Sequence, residues 1–252
     1  MTDEGDQPSR TELYDLRYDG VDRGDVSFYV DRAVAADGPV LELACGTGRV
    51  HLPLLRAGVD ADGVDLDREA LGRLRAKAAV ENLAPSVRVG DMTDLTAERA
   101  YDLIVCPFNA LQHATTPSTQ RATLAGVHDA LAPGGRFVFD VFVPSFDVVC
   151  ETYGEWSETT VSDGDREHRL RERTAVTDEV TQQFTVETEV LSPDGEVVRR
   201  DAHDLAMLPA PHVELLAELS PFADRSAAGG FGDEPLIDGD AIQVWTLTKA
   251  DD

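Results

Sequence analysis

Residues 40–50, Val-Leu-Glu-Leu-Ala-Cys-Gly-Thr-Gly-Arg-Val, combine an acid, a loop of small residues and two closely spaced glycines. These are residue types that hold a nucleotide-like ligand. Glycine lets the backbone approach a ligand closely, and N–H groups at a helix start have no partner within the helix, so they face what is bound. The pattern is Glu42-x-Ala44-x-Gly46-x-Gly48. A dinucleotide fingerprint needs a third glycine to pack the helix against the strand beside a pyrophosphate. Counted from Gly46, His51 holds that place. Asp65 stands 19 residues beyond Gly46, where a carboxylate at a strand end can accept both hydroxyls of a ribose. It could instead cap the following helix, a role Asp67 fills better. Asp91 could accept an amino hydrogen of a base while Met92 packs on its ring; a loop-capping role for Asp91 is the alternative. Farther on, Pro107-Phe108-Asn109-Ala110-Leu111-Gln112-His113 offers three hydrogen-bonding side chains, Asn109, Gln112 and His113. An imidazole titrates near neutrality and could take a proton from an attacking amine or hydroxyl. His113 could equally be an ordinary hydrogen-bonded histidine.

The elements that must position these groups follow from hydrophobic periodicity. Val40 to Leu43 reads as a buried parallel strand, and Leu52, Leu54 and Leu55 as a helix with Pro53 in its first turn. Residues 62–66 form a second strand, Arg68–Val80 a helix capped by Asp67, Val87–Val89 a third strand and Tyr101–Cys106 a fourth. Thr116 and Pro117 start a helix that Pro133-Gly134-Gly135 ends, and Arg136 to Val143 is the fifth strand. In an open parallel sheet, ligands bind beyond the carboxyl ends of the strands near the point where strand order reverses. The loop at 107–114 is therefore where two reacting groups should meet. Ahead of the first strand, a helical pattern runs from Leu13 to Ala35. Its Tyr14, Tyr18 and Phe28 are either core or aromatic faces suited to a cation. Residues 1–12 read as a disordered tail.

From 151 to 208 the texture changes to alternating polar and apolar residues, with turns at Asp163-Gly164 and Ser192-Pro193-Asp194-Gly195. Two hairpins are expected, one with Trp156–Val161 and His168–Val176, the other with Val180–Val190 and Glu196–Met207. Arg169, Arg171 and Arg173 share one face of a strand and could hold an anionic acceptor, or pair with neighbouring acids. A short helix from His212 to Leu219 then leads to a closing antiparallel pair, Phe222–Ser226 and Ala241–Thr248, joined through the flexible Gly229-Gly230-Phe231-Gly232.

Across 252 residues, 48 acids against 22 Lys and Arg give a formal charge of −26, and lysine occurs only at 77 and 249. Such a chain repels itself unless salt screens it; at ~1 M salt the Debye length is only ~3 Å. A halophilic, cytoplasmic protein is expected. The charge also disfavours nucleic acid, which needs a basic footprint. No apolar run is long enough to cross a bilayer, and the polar, acidic residues 1–12 are not expected to act as a signal peptide. Cys45, Cys106 and Cys150 show no C-x-x-C spacing and are expected as buried, reduced thiols. No metal-ligand cluster is evident.

Taken in order, ELACGTGR, GVDLD, GDM, PFNALQH and LAPGGRFVFDVF resemble the motifs of class I S-adenosylmethionine-dependent methyltransferases of the small-molecule type, across residues 13–145. Ala44 departs from that family's usual glycine. The resemblance implies an α/β, Rossmann-like, seven-stranded mostly parallel sheet with helices on both faces, plus a small inserted antiparallel β subdomain. The core would comprise 13–150 and 209–250, with 151–208 covering the acceptor pocket. It also implies S-adenosylmethionine as cofactor, with Glu42, Ala44, Cys45, Gly46, Gly48 and Arg49 around its methionine part. Asp65 and Leu66 would hold the ribose, Asp91 and Met92 the adenine, and Tyr14 and Tyr18 could contact the ligand. Pro107 and Phe108 would complete the cofactor-binding set, Phe108 and Asn109 would shape the junction of donor and acceptor, and Asn109 and His113 are candidate catalytic groups. Methyl transfer to a small amine or oxygen nucleophile, by a monomer or homodimer, is the expected function. The alternatives are a cofactor-binding sensor or scaffold without turnover and an NAD-dependent dehydrogenase.

Overall fold

The computed structural model describes residues 8–251 except 19, 22, 165 and 233. Most of the expected tail at 1–12 lies outside the described residues, but its last part does not. Helix α1 (Arg10–Tyr18) begins inside it, because Ser9 and Glu12 form a capping pair: the Ser9 hydroxyl accepts from the Glu12 N–H at 3.3 Å and Glu12 accepts from the Ser9 N–H at 2.7 Å. The single helical pattern expected over 13–35 is in fact two helices. Gly24, in a left-handed conformation, separates α1 from α2 (Asp25–Val34).

The remaining elements run β1 (Val40–Leu43), α3 (His51–Arg56), β2 (Ala61–Asp65), α4 (Arg68–Val80), β3 (Ser86–Val89), β4 (Tyr101–Cys106), α5 (Pro117–Ala130), β5 (Leu131–Phe142), α6 (Phe146–Glu151), β6 (Ser157–Asp163), β7 (Arg166–Asp178), β8 (Gln183–Leu191), β9 (Val197–Ala206), α7 (Ala210–Glu218), β10 (Asp224–Gly229) and β11 (Ile242–Thr248). They form a seven-stranded sheet in the order β10-β11-β5-β4-β1-β2-β3 and a separate four-stranded sheet β6-β7-β8-β9. In the large sheet only β11 with β5 and β10 with β11 pair antiparallel. This is an α/β sheet of the expected class. None of the described helices is long and apolar enough to cross a membrane.

The chain divides into two compact units, one of residues 1–21 with 146–205, the other of 22–145 with 206–252. In the second, β1 is buried throughout and lies between β2 and β4, the point where strand order reverses. The alternation of β5 sorts its two faces. Phe137, Phe139 and Val141 join Leu41, Leu43, Ile104 and Trp245 in a core that includes α5 and α7. Val138 joins Val40, Leu103, Val105 and Val244 beneath α2 and α3, against Phe28, Tyr29 and Leu54. Strand β5 starts at Leu131, directly after α5, but its regular register with β4 resumes only at Arg136. The Pro133-Gly134-Gly135 segment thus lies inside an irregular strand start, not at a helix end.

In the first unit, Leu13 and Leu16 of α1 pack with Val161, Leu170 and Val190. Val180, expected as the first inward residue of a strand, is 93% exposed in the turn before β8. The arginine face of β7 is spent on acids. Arg169 pairs with Glu158, Arg173 with Glu187, and Arg171 shares the buried Glu189 with Arg200. The anionic-acceptor reading of these arginines therefore has no support, and the ion-pair alternative is what the sheet contains. Cys45 and Cys106 are buried free thiols as expected, whereas Cys150 is exposed on α6.

Candidate functional site

The loop after β1 is built on three left-handed residues in five: Ala44 at φ 54°, Gly46 at 54° and Gly48 at 93°. It is closed by the Gly48 N–H donating to the Cys45 carbonyl at 3.0 Å, and α3 starts with the Leu52 N–H on the Gly48 carbonyl at 3.0 Å. Cys45 turns its side chain into a core with Leu52, Leu71 and Leu74, so it offers a ligand only backbone. Substitution of alanine at 44 keeps the position small but not unstrained, since a Cβ in the left-handed region costs ~1–2 kcal/mol. Ala44→Gly should therefore raise stability by about 0.5–1 kcal/mol once the greater freedom of the unfolded chain is subtracted. A higher urea midpoint at fixed salt is the expected reading.

Asp65, at the end of β2, turns its carboxylate onto this loop. Its Oδ2 accepts from the Gly46 N–H at 2.7 Å and its Oδ1 from the Asp67 N–H at 2.7 Å. Asp67, not Asp65, caps α4, accepting from the Glu69 and Ala70 N–H groups. Both Asp65 oxygens thus lie at the glycine turn, at the strand end where a carboxylate can meet ribose hydroxyls. Leu66, next to it, is 66% exposed. Asp91 caps the 3-10 turn Met92–Asp94, its Oδ1 accepting from both the Thr93 N–H and hydroxyl at 2.8 Å. Met92 is packed against the main core from its partly buried position.

Two groups expected near a ligand are committed elsewhere. Glu42 is buried beneath the loop with His51, whose Nδ1 lies 3.1 Å from Glu42 Oε2. Burial raises the Glu42 pKa, and the hydrogen bond and charge of His51 oppose that shift. Arg49 makes a buried, two-pronged ion pair with Asp25 at the start of α2 and lies over the Phe108 ring, 4.6 Å from its centroid. Burial raises the Asp25 pKa, but hydrogen bonding and the Arg49 charge outweigh it, and the net shift is downward. Arg49 thus ties the glycine turn to α2 and to the loop after β4. Tyr14 and Tyr18 belong to the other unit, where their rings lie 5.0 Å apart.

Beyond β4, the buried Pro107 leads into Phe108 and Asn109, both left-handed at φ 60° and 59°. Asp140 of β5 holds this turn. Its carboxylate accepts from the Phe108 N–H at 2.8 Å, the Asn109 N–H at 3.1 Å and the Tyr29 hydroxyl at 2.6 Å. Burial raises the Asp140 pKa, and those three donors oppose it; burial and the Asp140 charge push the Tyr29 phenol well up. A cavity of about 490 Å³ opens here, lined by Phe108, Asn109 and Asp140 together with Phe231, Asp240 and the residues leading into α2. His113 is exposed and does not line it. Gln112 is fully buried and donates to the Ala206 carbonyl at 2.8 Å, a structural tie to the chain entering α7.

Asp140, Tyr29, His51 and Asp25 were not among the expected site residues. The one visible signal was an acid inside the apolar run Phe137-Val138-Phe139-Asp140-Val141. Its partner on α2 is 111 residues away, beyond the reach of any local pattern.

Known proteins resemble this chain in sequence and fold. Residues 40–135 match the family model described as a methyltransferase domain. A putative methyltransferase of Bacillus subtilis, YqeM, is 29% identical over 115 residues, 45% of this chain and 46% of that protein. The chain spans about half the length of the curated relatives it matches. Among solved structures, an S-adenosylmethionine-dependent methyltransferase from Clostridium acetobutylicum superimposes with a TM-score of 0.75 at 20% identity, covering 94% of this chain and 96% of that one. CalS10, an amino pentose methyltransferase from Micromonospora echinaspora solved with S-adenosylmethionine bound, gives 0.70 at 20% identity over 95% and 98%. Residues 40–135 match a methyltransferase domain, and the chain has the fold of the S-adenosylmethionine-dependent methyltransferases on which it superimposes.

Proposed function

We propose that the chain binds S-adenosylmethionine at the Gly46–Gly48 turn and directs its methyl group to a small-molecule amine or hydroxyl acceptor. The observation that carries this reading is the Asp65 carboxylate at the end of β2, seated on the glycine turn that follows β1. Two hydroxyls on adjacent sugar carbons suit a carboxylate at that place, and His51 where a dinucleotide site needs its third glycine disfavours a pyrophosphate. Asp91 keeps Oδ2 for the adenine amino group while Oδ1 holds its own loop. The cofactor supplies a methyl already activated on a sulfonium, so the protein needs no covalent nucleophile. Its work is alignment and exclusion of water, and the rigid left-handed turn at Phe108–Asn109 is placed to do it. The bound cofactor and amino pentose activity named for CalS10 support the same reading.

The test is mass spectrometry of metabolite extract incubated with the protein and isotopically labelled methyl donor in molar KCl. A labelled small-molecule product is the expected result. Label confined to unreacted donor, with the donor nevertheless bound, would favour a sensor or scaffold. The charge of −26 supports a high-salt cytosol as the working environment. Thermal unfolding should then shift upward between low and molar KCl, and a flat or falling midpoint would contradict that.

A further inference from the structure

We propose that the cavity beside Phe108 takes the methyl acceptor as a primary or secondary amine, held in its ammonium form by the Asn109 side-chain oxygen and the Asp140 carboxylate. This rests on the methyl-transfer reading and narrows the acceptor class at the same site.

Three observations carry it. First, Asn109 Oδ1 is buried and has no hydrogen-bond partner, and Asn109 lines the cavity; an amide oxygen can only accept. Second, Asp140 is a carboxylate only 2% exposed whose hydrogen-bond donors, Tyr29, Phe108 and Asn109, are all neutral. A buried charge calls for a counter-charge, and one of its four acceptor positions, on Oδ2, remains open. Third, among the described residues the charged side chains lining the cavity are Arg23, Asp25, Asp140 and Asp240. Arg49 neutralises Asp25, and Arg23 lies 5.6 Å from the Phe108 centroid. Among these described residues the balance is negative, the complement of a cation. A hydroxyl has a single hydrogen to donate and no charge, so it cannot satisfy both acceptors. An ammonium with two N–H groups can.

The chemistry balances with this arrangement. The ammonium passes one proton to the Asp140 carboxylate, and the freed nitrogen lone pair forms a bond to the methyl carbon. The carbon–sulfur bond breaks with its electron pair remaining on sulfur. The sulfonium becomes a neutral thioether, the product leaves as the methylated ammonium, and the proton on Asp140 returns to water. Burial in a low-dielectric wall, which favours the neutral acid, helps Asp140 receive that proton.

The test uses the full chain in molar KCl, where screening suppresses adventitious attraction of cations. Calorimetric titration with S-adenosylhomocysteine first decides the underlying reading: no binding there sinks the cofactor site and leaves the cavity to be judged alone. Cyclohexylammonium and its neutral isostere cyclohexanol are then titrated, following the Phe108 and Asn109 amide resonances. Cyclohexylammonium should bind saturably and at least ~10-fold tighter than cyclohexanol, the difference a hydrogen bond to a charged group provides. Asp140→Asn should cost the ammonium roughly 10-fold more than it costs cyclohexanol. Should that variant fail to fold, Asn109→Leu should give the same selective loss. Equal binding of the two probes, binding of neither, or ammonium binding indifferent to both substitutions would overturn the proposal.

Discussion

Replacing Asp65 with alanine should weaken S-adenosylmethionine binding about 100-fold or more. Two hydrogen bonds from ribose hydroxyls to a carboxylate are worth roughly 1.5 kcal/mol each at the low end, and ~1.4 kcal/mol is a factor of ten. The substitution also removes the acceptor that the Gly46 and Asp67 N–H groups share, so the turn itself loses an anchor. Asp65→Asn keeps the shape and one good acceptor and should cost only about 10-fold. Titration calorimetry in molar KCl reads both values. An Asp65→Ala protein that binds the cofactor as tightly as the parent would remove this residue from the site.

The second large effect falls on Gly48. Its φ of 93° lies where a side chain is strained, and a Cβ there would stand 2.9 Å from the Leu74 Cγ and 3.0 Å from the Leu52 Cγ. Backbone strain of ~1–2 kcal/mol adds to overpacking of ~1–3 kcal/mol, since both leucines are buried against α4 and α3. Gly48→Ala should therefore destabilise the protein by about 3 kcal/mol, read as a lower urea midpoint, and weaken cofactor binding as the turn is displaced. A loss below ~0.5 kcal/mol would contradict the close packing of Leu52 and Leu74 against this turn.

The glycine at 48 and the acid at 65 were legible in the sequence because local chain geometry fixes them. A strand, a tight turn and a helix leave few residue types free, and the next strand end follows about twenty residues later. The succession of strands along the chain and the closing antiparallel pair were legible for the same reason, each strand being a short apolar run between breakers. What stayed hidden were contacts between segments far apart in the chain. The Arg49–Asp25 pair joins α2 to the turn after β1 and the Tyr29–Asp140 pair joins α2 to β5, and nothing in either partner's neighbourhood announces the other. His51 was visible only as a missing glycine, whereas it is the buried partner of Glu42. Ala44 was judged by size, although its backbone conformation is what sets its cost. Val180 was misjudged because strand alternation continues in phase through a turn where it no longer has a core to face.

The most direct measurement is a crystal structure of the protein with S-adenosylhomocysteine. Both ribose hydroxyls should donate to the Asp65 carboxylate, with the amino-acid tail over the Gly46–Gly48 turn and the adenine amino group toward Asp91. A sugar bound away from Asp65, or a ligand whose polar groups leave that turn untouched, would contradict it.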